Sequence, residues 1–183
     1  MANRDSNLYK KGLAHRGVYG GKEQTVTGVI RVKAGESIAT TDLLRMVPLG
    51  ENVRPVQLTL TAVPVAGNPV LTAFTFKAGV APMSSTAFKR PDGKEFPVLA
   101  ADDDALVASL VIPAGGLITS TAVTRPVAAS VPNYAPYVAT LVPSATASVA
   151  GGDVDLALTV VFIGEQKADG LIYDKFMDGK VKN

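Results

Sequence analysis

His15 is the only imidazole in the 183-residue chain, and cysteine is absent altogether. A Ser-His-Asp hydrolase needs its base held rigidly against a nucleophile, and geometry decides whether a base can act. His15 sits in a polar, glycine-dotted stretch with no helical period, so a solvent or interface contact is the favoured role. The lack of thiols removes cysteine nucleophiles, Cys-type zinc sites and iron–sulfur ligation. Two further patterns look like chemistry and fail on spacing. Gly17-Val-Tyr-Gly-Gly-Lys22 suggests a phosphate loop, but no glycine lies five residues before Gly21 and no Ser or Thr follows Lys22. Asp102-Asp103-Asp104 offers oxygens to a hard cation, but calcium needs six to eight ligands from a spaced Asp/Asn/Gly/Glu loop. A solvated acidic loop is the better reading. Carboxylate pairs such as Glu36 with Asp42, or Asp153 with Asp155, suggest sugar hydrolysis. Glycosidases also need aromatic platforms, and aromatics make up only 6% of this chain, with no Trp. Asp153 and Asp155 are two apart on a strand, so both point to its polar side. No metal or other cofactor is expected, and no enzyme activity.

Charge gives the sharper signal. Residues 1–22 hold Arg4, Lys10, Lys11, Arg16 and Lys22 against Asp5 alone, a net of +4. The remainder carries 13 basic and 15 acidic residues, a net of −2. A block of charge at a terminus belongs to interaction arms. The residues expected to meet a partner are therefore Arg4, Tyr9, Lys10, Lys11, His15, Arg16, Tyr19 and Lys22. Lys89, Arg90, Asp102, Asp103 and Asp104 form a weaker set in a long irregular loop. Five basic residues with Tyr9 and Tyr19 could also touch phosphates and stack on bases. The slightly acidic body argues against a broad nucleic-acid face, so a protein partner is favoured.

The elements that must carry these groups read as strands. The apolar mass is Val, Ala, Leu and Ile beside much Thr, a composition that suits pleated, half-buried surfaces. The 17 glycines and 12 prolines supply turns. Residues 1–23 read as an extended basic arm that orders only against a partner. The body spans 24–164 and a polar tail spans 165–183. A strand is expected at Thr25–Lys33. Ser37–Val47 reads as a second extended stretch, broken at Pro48, with a short bend or helical turn near Thr41-Asp42 left open because Thr and Asp compete for local backbone bonds. Val56, Leu58, Leu60 and Ala62 alternate with Gln57, Thr59 and Thr61, marking a half-buried strand over Arg54–Val63. It should stop at Pro64 and pair as a hairpin with Val70–Phe76. Residues 77–104 read as a loop. Leu106–Ile112 and Leu117–Thr124 are strands, whereas Val127–Pro143, broken by prolines, belongs at a sheet edge or in a covering loop. Asp153–Ile163 is the last strand, apolar at Val154, Leu156, Leu158, Val160 and Phe162. About eight strands without an amphipathic helix predict an all-β fold, a two-sheet sandwich of jelly-roll type with an extended N-terminal arm. No apolar run reaches membrane-spanning length and no signal peptide is seen, so synthesis in the cytoplasm and no membrane association are expected.

The stretch Gly28-Val-Ile-Arg-Val-Lys-Ala-Gly-Glu-Ser-Ile-Ala-Thr-Thr-Asp42 leading into Leu43–Pro48, the Thr-alternating strand Arg54–Val63 and the strand Val154–Ile163 resemble tailed-bacteriophage virion proteins of the head decoration or cement type. The Ala/Thr/Val/Gly-rich composition agrees. The resemblance covers roughly residues 24–164. It implies a β-domain on the outer capsid lattice of a virion, made in the host cytoplasm. There it would sit as a homotrimer, bound to the major capsid protein and bridging neighbouring subunits. A receptor- or glycan-binding module of a virion fibre or tail is the alternative, using Tyr134, Tyr137 or the 77–104 loop.

Overall fold

The computed structural model describes residues 3–11, 22–50, 53–72, 74–83, 100–112, 118, 121–127 and 136–164. They form ten strands and one helical turn: β1 (Asn3–Asp5), α1 (Asn7–Lys10), β2 (Glu23–Val32), β3 (Ser37–Ile38), β4 (Leu43–Leu49), β5 (Val53–Leu71), β6 (Phe74–Pro82), β7 (Asp102–Ile112), β8 (Thr121–Pro126), β9 (Tyr137–Pro143) and β10 (Ala147–Gly164). One sheet has the order β1-β4-β9-β6-β7 and the other β2-β10-β5-β8, with the short β3 beside β10.

The pairing is nested. β6 pairs β7, β5 pairs β8, β4 pairs β9 and β2 pairs β10, each antiparallel. The chain is thus one long double-backed hairpin. Rolling it up adds the β5–β10 and β6–β9 contacts and splits the strands between two sheets. That is a jelly roll, which limits open sheet edges by wrapping one ribbon on itself. The expected all-β, two-sheet sandwich of this type is what the structure shows.

Alternation drives the packing. In β10 the side chains of Val154, Leu156, Leu158, Val160 and Phe162 are buried while the residues between them are half-buried. They meet Ile30 and Val32 of β2, Leu58, Leu60 and Ala62 of β5, and Phe74 and Phe76 of β6 in one core. Each buried aliphatic or aromatic side chain contributes about 1.5–3 kcal/mol.

Several sequence expectations are corrected here. β4 runs through Pro48 to Leu49. β5 does not stop at Pro64 but continues to Leu71 along β10. Register shifts at Asp153/Val154 and Ala150/Gly152 absorb the break. Gly67 and Gly151 take positive φ there, 68° and 76°. A Cβ on Gly67 would lie 2.4 Å from the Gly151 carbonyl oxygen, so only glycine fits the bulge. β5 and β6 form no hairpin, because they belong to opposite sheets. Asp102–Asp104 open strand β7 rather than lying in a loop. β9 is a central strand, buried at Tyr137–Leu141, and not an edge. Its proline sits at its last residue, Pro143, where a missing ladder donor does least harm. No described helix is long and apolar enough to cross a membrane.

Candidate partner-binding surface

The N-terminal residues 3–11 do not extend away from the body. β1 lies parallel on β4, with Asn3, Arg4 and Asp5 opposite Leu43, Leu44 and Arg45. The Ser6 N–H continues the ladder, donating to the Arg45 carbonyl at 3.0 Å. Ser6 is fully buried. Its hydroxyl donates to the Met46 carbonyl and accepts from the Tyr9 N–H at 3.0 Å, capping α1. Asn7 then reaches the other sheet, where its Oδ1 accepts the Val29 N–H of β2 at 2.9 Å. The segment therefore closes one corner of the sandwich across both sheets.

Two ion pairs fix its register. The Arg45 guanidinium forks onto Asp5, Nε to Oδ1 at 2.7 Å and Nη2 to Oδ2 at 3.0 Å. Its Nη1 donates to the Tyr9 hydroxyl at 3.0 Å, and its Cζ lies 4.3 Å from the Tyr9 ring centroid. Arg4 donates through Nη1 to Glu36 Oε2 at 3.1 Å and through Nη2 to the Ser37 carbonyl at 2.9 Å. Glu36 also accepts the Lys33 N–H at 3.2 Å. That backbone bond, helped by Arg4, holds the Glu36 carboxyl below its ordinary value against the opposing effect of burial.

The sequence-derived arm residues thus divide. Arg4 and Tyr9 are spent on the chain's own body. Lys10, Lys11 and Lys22 are exposed. His15, Arg16 and Tyr19 lie outside the described residues, as do Lys89 and Arg90 and the tail 165–183. Asp102, Asp103 and Asp104 are exposed at the start of β7. Asp102 Oδ1 accepts the Asp104 N–H at 3.2 Å, and Asp104 stands 3.7 Å from Lys77 Nζ. An exposed pair of that kind adds little stability. Arg45, Ser6 and Asn7 escaped the sequence reading. The one available signal was Ser6, a good N-cap type ahead of Asn7-Leu-Tyr-Lys10.

The candidate carboxylate pairs have structural work. Asp155 receives both Nε and Nη2 of Arg31, at 2.9 and 3.1 Å. Asp153 accepts the Ala34 N–H at 3.0 Å. Asp42 and Ala39 close a turn by exchanging backbone and side-chain bonds. Among the described residues no group of three or more His, Cys, Asp or Glu could hold a metal ion. Tyr137 is no sugar platform: it is fully buried and its hydroxyl donates to the Val53 carbonyl at 2.8 Å. Tyr134 lies outside the described residues.

The outer face of the β2-β10-β5-β8 sheet carries a run of threonines beside the Arg31–Asp155 ion pair. Thr27, Thr159, Thr59 and Thr124 stand in one transverse row, each in register with the next. Their hydroxyls meet at 2.8 Å between Thr27 and Thr159 and at 3.0 Å between Thr59 and Thr124. Along the second half of β5 the large apolar residues Val63, Val65 and Val70 are exposed.

No protein-family model matches the chain, and no curated protein matches it. Among solved structures, a chain of the "Capsid of Ralstonia phage GP4" matches with a TM-score of 0.54 and 15% identity. The match covers 91% of this chain and 100% of that one, so the likeness is one of the whole fold rather than of a shared motif.

Proposed function

We propose that this chain is a non-enzymatic structural protein of a phage particle, which binds the outer capsid lattice and bridges neighbouring subunits of the major capsid protein. The observation that carries the reading is the whole-length fold likeness to a chain of a phage capsid. The site geometry supports it. The carboxylates that could have served catalysis are engaged in ion pairs and turns, and the body presents a hydroxyl-rich sheet face with exposed valines along β5. Such surfaces suit many repeated contacts of modest strength, whose combined avidity holds a lattice together. Exposed Lys10, Lys11 and Lys22 add positive charge that fits an acidic neighbour. The chain then resides on the virion surface as a homotrimer, and nucleic acid is not its partner.

Electron microscopy of the native particle tests this. The expected result is density for this jelly roll at regular positions on the outside of the head lattice. Density confined to a tail or fibre, or absence of the chain from purified particles, overturns it.

A further inference from the structure

We propose that residues 3–11 are an exchangeable plug: the segment that docks on β4 of its own body also docks on β4 of a second copy, linking copies through swapped N-termini. Exchange of an identical element between protomers is a low-cost route to oligomers, and three features of this chain favour it.

The plug is self-contained. Its contacts run from residues 3–11 to a small receiving site made by Leu43–Met46 of β4 with Val29, Glu36 and Ser37.

The occupant is specified by charge. Arg4 and Asp5 are adjacent in the plug and meet Glu36 and Arg45 in the receiving site. A plus–minus pair thus reads a minus–plus pair. The Arg45 fork demands a carboxylate, and the Tyr9 ring four residues later completes its cover. A generic basic peptide lacks the Asp5 that this site reads.

The connection is long enough. Ten residues, 12–21, lie between the plug and Lys22, which leads into β2 at Glu23, and four of them are glycine. At about 3.3–3.6 Å per residue they can span up to roughly 35 Å, the breadth of a small domain. The contacts made in cis and in trans are the same, so the balance between them is set by local concentration. A tether of this length gives an effective concentration in the mM range, and only neighbours packed side by side compete with it. The plug therefore stays home in dilute solution and exchanges in a dense array. This inference stands apart from the capsid reading, because it is tested on the purified chain.

The absence of cysteine makes the test clean. Asn3→Cys is placed in one copy and Leu43→Cys in a second copy of different tagged size; these are register partners across β1 and β4. A mixed disulfide between them reports exchange. The expected result is a mixed dimer whose yield rises with concentration. It should exceed the yield from a control pairing Asn3→Cys with Ala108→Cys, an exposed site on the far edge strand β7. Arg45→Glu in the receiving copy should suppress it, and Asp5→Arg in the donating copy should restore it. The unsubstituted chain provides a second readout that needs no variant to fold: its sedimentation-averaged mass should rise as concentration approaches ~1 mM. A mixed dimer no more abundant than the control, together with a monomer throughout that range, overturns the proposal.

Discussion

Arg45 spends one guanidinium on three groups: the Asp5 carboxylate, the Tyr9 hydroxyl and the face of the Tyr9 ring. A planar fork can do this and an ammonium cannot. Glu36 is the other fixed point, and it titrates. Its folded pKa is lowered from the ordinary 4.5, first by the Lys33 N–H and then by Arg4, with burial opposing. A depressed carboxyl contributes stability that is present above its unfolded value and lost as pH falls through its folded value. Its side chain is 40% exposed, so the contribution is small and partly screened. Glu36→Gln should therefore lower the melting temperature above pH 4.5, and the gap should close as pH drops below the folded value. A gap that does not shrink as pH is lowered below 4.5 would show that the carboxylate is not its source. Composition made the basic arm visible but not its partners. Arg4 looked like a partner-seeking charge because the residues that neutralise it, Glu36 and Ser37, lie more than thirty positions away.

Strand β2 crosses the corner of the sandwich at Gly28, and here the element scale shows its constraint. A Cβ on Gly28 would lie 2.2 Å from the Met46 carbonyl oxygen, the same carbonyl that accepts from Ser6. Backbone cannot yield there as a flexible side chain would. Gly28→Ala should cost about 1–3 kcal/mol or more, read as a lower denaturant midpoint. Gly35→Ala is the comparison. Gly35 has φ +81° but nothing within 4 Å of its would-be Cβ, so it should lose only about 1–2 kcal/mol of left-handed strain. If Gly28→Ala costs less than Gly35→Ala, the close approach is not limiting. The same contrast explains what was legible in the sequence. β2, β10 and the first half of β5 announce themselves by alternation, since each has one face buried and one half-exposed. The second half of β5 does not, because Pro64, Gly67 and Pro69 read as a stop when they are a bulge paired to Gly151 and Gly152. β9 was misread for a related reason. Buried on both faces at Tyr137–Leu141, it shows no alternation, and nearby prolines suggested an edge.

For the whole molecule, the two proposals make separate demands on the same segment. As a plug, residues 3–11 work through Arg4, Asp5, Ser6, Asn7 and Tyr9, which face the receiving site. In lattice binding the segment works through Lys10 and Lys11, which like Lys22 are exposed. A swapped plug is a one-way contact, from the arm of one copy to the body of the next. Such a contact closes into a ring when the rotation permits, which fits the proposed homotrimer. The charges can then be separated by substitution. Lys10, Lys11 and Lys22 replaced together by Gln should leave folding stability within about 0.5 kcal/mol, since none is buried. The same triple change should weaken attachment to capsid particles at low salt and flatten its salt dependence, because steering by exposed charge is screened over about 10 Å at 0.1 M. Cosedimentation with particles across a salt series measures both effects, and thermal melting of the unbound protein supplies the control. Attachment unchanged at every salt concentration would leave these lysines without a role and place the binding energy on the threonine face and the exposed valines of the β2-β10-β5-β8 sheet.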